Sequence, residues 1–123
     1  MDIIVESMLT FQLYLKTYHW QTKSHSRHKA SDKLYSEISD SIDLFVEALQ
    51  GKMVGRVKLT GTLQFRNFTE TQGQKLLINF RNWLENHLEK LLLKKLKAID
   101  DLLNIRDEMV ASINQTLYLF TQK

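Results

Sequence analysis

The sequence predicts an all-α domain: a four-helix bundle with one long connection between its second and third helices. Proline is absent, and the four glycines (Gly51, Gly55, Gly61, Gly73) all fall between positions 51 and 73, leaving fifty residues on either side without a strong helix breaker. Apolar residues recur at spacings of three and four on both sides of that interval, the pattern of amphipathic helices. The chain has 123 residues, 43% of them hydrophobic and 25% charged, the balance of a globular domain. At this size roughly two-thirds of the unfolded surface can be buried around one core, without a disulfide or a structural metal. One domain spanning residues 1–123 is expected.

Taken in order, Ile4, Met8, Phe11, Leu15 and Tyr18 form the stripe of a first helix that runs to about Gln21. After the polar stretch from Lys23 to Arg27, Leu34, Ile38, Ile42, Phe45 and Leu49 form a second stripe. His28 opens this helix and Gly51 is its expected stop. The interval from Gly51 to Thr69 is too broken for a long helix and reads as an ordered crossover with room for a short turn or strand. Thr69 followed by Gln72 is a capping-box pattern, and Leu76, Phe80, Trp83, Leu84, His87, Leu88 and Leu91 keep one face apolar for more than five turns of a third helix. Lys90, Lys94, Lys95 and Lys97 suit the negative end of a helix dipole, and Asp100 or Asp101 can cap the next start, which predicts a turn near 96–100. Leu102, Arg106, Met109, Ile113, Thr116, Leu117 and Phe120 mark the fourth helix. Two short turns and one long crossover describe the ferritin-like arrangement of a bundle.

Composition removes several function classes. The absence of cysteine excludes thiol nucleophiles, Cys-ligated zinc and iron–sulfur clusters. No Ser-His-Asp motif or elbow glycine pattern is present. The N-terminus shows no basic region followed by a cleavage site, and no run of about 18 apolar residues could span a bilayer, so a cytoplasmic protein without membrane association is expected. Seventeen basic residues against 14 acidic ones, well interspersed, give a mild net charge of +3. The lysines from Lys90 to Lys97 are the one local feature suited to DNA, and they more often mark a solvated helix end.

Acid–base or metal chemistry has to come from His, Asp and Glu, and these crowd between His19 and Glu47. Asp43 and Glu47 are four residues apart on one helix, so their carboxylates share a face and could take one hard cation. His19 closes the first helix and His28 opens the second. Two imidazoles with two carboxylates suit Fe(II), nitrogen favouring the reduced ion and carboxylate oxygen holding the oxidised one. His28 and Asp43 nevertheless lie fifteen residues apart on the same helix, about 22 Å at 1.5 Å per residue, so one ion cannot be shared within one subunit. Two antiparallel helix pairs about a two-fold axis would bring the His end of one chain to the Asp/Glu end of the other, giving two equivalent sites per dimer. Glu-x-x-His, the motif of single-chain di-iron bundles, does not occur.

The run Lys16-Thr17-Tyr18-His19-Trp20-Gln21-Thr22-Lys23, followed by His28, Asp32, Asp43 and Glu47, resembles the Dps branch of the ferritin-like proteins. In that family a His-Trp pair ends the first helix and a second His begins the next. An acid follows four residues later, and an Asp-x-x-x-Glu pair lies fifteen and nineteen residues beyond the second His. The stretch from Asp101 to Phe120 also looks like the family's last helix, and the chain is similar to small ferritin-like proteins of phages and large DNA viruses. The resemblance implies a homo-oligomer built on a two-fold dimer, typically a hollow dodecamer, that oxidises Fe(II) with peroxide or oxygen and stores ferric mineral. By carry-over, His19 and His28 of one subunit with Asp43 and Glu47 of its neighbour would be metal ligands and ferroxidase residues. Trp20 would pack beside them, and Asp32 would be a supplementary acid orienting an imidazole.

Plainer readings compete with each of these. His19 beside Trp20 in isolation is a helix-end residue capping carbonyls, and His25 is a surface histidine. His87, on an apolar stripe, reads as a hydrogen-bonded core residue, and Arg106 as the partner of a buried or interface carboxylate. The competing function is a non-enzymatic ferritin-like bundle acting in protein–protein assembly or, through its lysines, in weak DNA binding.

Overall fold

The computed structural model describes residues 1–122, and all regular secondary structure among them is helical. Five helices follow one another: α1 (Asp2–Gln21), α2 (His25–Met53), α3 (Glu70–Asn86), α4 (Leu88–Leu93) and α5 (Asp100–Leu119). Every residue of the two N-terminal stripes is buried, from Ile4 to Tyr18 on α1 and from Leu34 to Leu49 on α2. They meet Leu77, Phe80 and Leu84 of α3, Leu88 and Leu92 of α4, and Leu102, Met109 and Ile113 of α5 in one apolar core.

Contacts between helix ends establish the directions. Tyr18, near the end of α1, donates to Glu70 at the start of α3 and packs on Phe120 just past the end of α5. At the opposite pole, Lys52 near the end of α2 pairs at 3.0 Å with Asp101 at the start of α5. Helices α1 and α5 therefore run one way, α2 and α3 the other, and the non-helical stretch 54–69 returns beside α1. Along that return, Glu6 accepts from the Thr60 and Gly61 amides, Tyr14 donates to the Gln64 carbonyl, and Gln21 accepts from the Phe68 amide. These bonds replace the backbone ladder that the segment lacks. No strand or helical turn forms in it.

Several boundaries differ from expectation. Helix α2 starts at His25, capped by the Ser24 hydroxyl, which accepts from the Arg27 amide. It also continues through Gly51 to Met53, and the left-handed residue that ends it is Val54, at φ 54°. The Val57 amide donates to Gln50 Oε1, and Val54 and Gly55 both donate to the Gln50 carbonyl, so the chain reversal is held from the last full turn. The predicted third helix breaks at His87, whose φ of −123° lies off the helical value. That break turns His87 to solvent, so it is not a core residue. Arg106 donates to the Leu84 carbonyl beside the break and to the exposed Asp107, with no buried acid as partner. The cap of α5 is Ile99 with no side-chain bond, because Asp101 is committed to Lys52 and Asp100 lies inside the first turn. The Thr69–Gln72 capping box forms as predicted, with both reciprocal bonds.

No helix among the described residues is long and apolar enough to cross a membrane.

Candidate functional site

Three residues, 22–24, separate α1 from α2, so the last turn of one helix faces the first turn of the other. This turn brings His19 and His28 together as a reciprocal pair. Their rings stack with centroids 4.0 Å apart and planes within 20°. His19 Nδ1 lies 2.9 Å from the His28 carbonyl, and His28 Nδ1 lies 3.0 Å from the His19 carbonyl. A carbonyl oxygen can only accept, so each Nδ1 carries the proton and donates. The Ser31 hydroxyl, 3.1 Å from His19 Nδ1, donates in turn to the His28 carbonyl. In each neutral ring, Nε2 then keeps its lone pair, the state in which an imidazole ligates a metal while its other nitrogen is held by a backbone carbonyl.

His19 is 7% exposed, and its Nε2 lies 3.8 Å from Asp32 Oδ1. That distance is too long for a hydrogen bond and short enough for the carboxylate to attract a positive charge placed on the imidazole. His28 and Asp32 are exposed. Trp20 is 69% exposed, with the Lys16 ammonium 5.8 Å from its ring and 4.5 Å from that of Tyr35.

Asp43 and Glu47 lie together on the outer surface near the far end of α2, both exposed. The Asp43 carboxylate raises Glu47 above the ordinary carboxylate value, first by a hydrogen bond that favours the protonated form and then by charge repulsion. Two acids that resist ionising together form a locus where a cation relieves repulsion. Helix α2 is continuous between His28 and Asp43, so the two loci stand apart within one chain. Among the described residues, no three His, Asp or Glu side chains gather closely enough to hold one ion.

One cluster escaped the sequence reading. Arg27 donates to the Tyr18 hydroxyl, the Glu70 carbonyl and Gln74 Oε1, and its guanidinium lies 4.6 Å from the Phe120 ring. Glu70 accepts from Tyr18, Thr22 and the Lys23 amide. Burial pushes Glu70 up, but the bonds from Thr22, Tyr18 and Lys23, with the Arg27 charge, outweigh it and leave the carboxyl below its usual value. Burial, the largest influence on Tyr18, raises its hydroxyl. The signal available in the sequence was Arg27 itself: a cation in the first turn of a helix opposes the dipole and so calls for a compensating acid.

The profile of a family of unknown function, DUF5856, matches residues 19–120. The chain belongs to that family. The DUF5856 match opens at His19 and takes in all five candidate residues. A stretch of 44 residues is 43% identical to the uncharacterized 14.6 kDa protein in the mobD-ri intergenic region of Enterobacteria phage T4. It covers 36% of this chain and 34% of that relative. No solved structure matches.

Proposed function

We propose that this DUF5856 protein is a Dps-like, ferritin-like four-helix bundle that binds Fe(II) and oxidises it with peroxide or oxygen at a site shared between two subunits, sequestering the ferric product. The observation that carries the reading is the histidine pair, with both Nδ1–H groups tied to carbonyls and both Nε2 lone pairs left for a metal. The exposed, mutually repelling Asp43 and Glu47 supply the complementary half. The one long connection returning beside α1 supports the ferritin-like arrangement, in which α3 and α4 together form the third helix.

In this reading Fe(II) is a substrate, held by His19 and His28 of one copy and by Asp43 and Glu47 of the other. Asp32 stabilises positive charge beside His19, and a bound cation relieves the repulsion between Glu47 and Asp43. Iron gives up electrons to peroxide or oxygen, and the carboxylates hold the more highly charged product. Two sites arise per two-fold dimer, and the resemblance extends the assembly to a dodecamer.

Anaerobic Fe(II) titration, followed by peroxide or oxygen and read by near-ultraviolet ferric absorbance, tests the proposal on the wild type, His28→Ala and Asp43→Ala. Saturable binding with fast oxidation, lost in both variants, is the expected result. Binding no greater than in buffer overturns it.

The second reading keeps the bundle and removes the metal. It is favoured by the reciprocal bonding and stacking of His19 and His28 across the turn, which make the pair a staple between α1 and α2. Lys90, Lys94, Lys95 and Lys97, all exposed, would then be free for DNA. In that case the oligomer forms without metal, and neither substitution changes what it binds.

A further inference from the structure

A second site lies on the opposite side of α1, in an open groove of about 370 Å³ between α1, α3 and the end of the crossover. Three stacked rings line it: Phe11 on Phe80 at 4.1 Å and 7°, and Phe80 on Trp83 at 5.6 Å and 16°. Tyr14 and Phe68 add two more aromatic rings. Phe11, Phe80 and Phe68 are themselves buried, so the half-buried rings of Trp83 and Tyr14 are what the groove offers to another π system.

Two exposed cations border the groove, Arg66 from the crossover and Lys75 from α3, and no carboxylate lines it. The Arg66 guanidinium lies 5.7 Å from the Tyr14 ring and 5.2 Å from that of Phe68. Stacking therefore places its charge while leaving its N–H groups uncommitted. Among the described residues, neither Arg66 nor Lys75 has an ion-pair partner. Elsewhere the fold pairs its half-buried cations Arg27, Lys52, Arg81 and Arg106 with acids. The groove volume falls in the range of small-molecule sites, roughly 300–1,000 Å³.

We infer that this groove binds small planar aromatic anions, with the ring system against Trp83 and the anionic group on Arg66 and Lys75. Guanidinium geometry favours a bidentate phosphate or carboxylate. Nucleoside monophosphates and simple aromatic acids both carry this chemistry.

Trp83 reports on the groove directly, and Trp20→Phe removes the other tryptophan. Titrating that variant with AMP, benzoate, adenosine and inorganic phosphate separates the contributions of ring and charge. Saturable Trp83 quenching by AMP or benzoate is expected, and whichever binds more tightly identifies the source. Adenosine and phosphate alone should bind at least about tenfold more weakly, the equivalent of about 1.4 kcal/mol for the missing half. Arg66→Ala and Lys75→Ala, at exposed positions that leave the core intact, should each weaken the tighter ligand by about tenfold with helix content unchanged. Failure of both AMP and benzoate to saturate, or unaltered binding in both variants, overturns the inference.

Discussion

At single residues, the molecule shows where packing and charge outrank local preference. Gly73 sits in the first turns of α3, where alanine would ordinarily favour the helix by about 1 kcal/mol. A Cβ there would run into the ring of Tyr18, which is fully buried and cannot withdraw. Gly73→Ala should therefore destabilise the fold, overpacking costing about 1–3 kcal/mol. Gly51→Ala, with open space around it, should stabilise by about 0.5–1 kcal/mol. Urea denaturation of the two variants reads the contrast, and equal signs would remove the Tyr18 explanation. Glu47 tests charge in the same way. Its value is raised in the fold, so the protonated form is favoured there, and the stability associated with it is lost as pH rises through the folded value. At neutral pH the protein carries that cost. Glu47→Gln should then raise Tm by about 1–3 °C at pH 7. The gain should fade below pH 4.5, the ordinary glutamate value, where both proteins are uncharged at this position. A lower Tm for Glu47→Gln at pH 7 would contradict this sign.

At the scale of helices, periodicity located the buried faces and missed their interruptions. The ten stripe positions of α1 and α2 are all buried, because a continuous amphipathic pattern has one way to bury itself. The break at His87 was not legible, since apolar spacing continues through Leu84, Leu88 and Leu91 and no glycine or proline marks it. Gly51 misled for the opposite reason. A glycine permits a helix to stop but does not require it, and burial of Leu49 beside half-buried Met53 carries α2 onward. In the candidate site, the spacing of His19, His28, Asp32, Asp43 and Glu47 was legible, whereas the carbonyl partners of the two Nδ1 atoms depend on how the turn closes. The junction around Glu70 depends on three helices at once and so left no short-range pattern. It makes a prediction of its own. A depressed carboxyl contributes stability that is complete above the ordinary value of 4.5 and is lost as pH falls through the lower folded value. Glu70→Gln should cost about 1–2 kcal/mol at neutral pH through weakened hydrogen bonds. It should also flatten the fall in stability below pH 4.5. Parallel acid denaturation profiles for the two proteins would show that the junction owes nothing to the charge.

For the whole molecule, the decisive issue is whether chemistry divided along α2 is reunited between chains. The outer surface of α1 carries exposed Leu13 and Trp20, and Lys16 bridges from Trp20 to Tyr35 of α2. Leu13, Lys16 and Trp20 recur at three and four residues and so share one face, a surface suited to association of two copies. A shared site has a consequence that no single-chain site can imitate. In a dimer of one His28→Ala chain and one Asp43→Ala chain, one site loses both halves and the other keeps both. Each variant alone should be inactive. Unfolded together and refolded at equal concentrations, they should form mixed dimers in half of all pairings, each with one intact site. Recovery of about one quarter of wild-type Fe(II) oxidation is then expected from two-fold symmetry alone. Sites confined to single chains would recover nothing, because every chain in the mixture carries one lesion. Wild-type oxidation with no recovery, in mixed dimers verified by mass spectrometry, would refute the sharing of one site by His28 of one chain and Asp43 of the other.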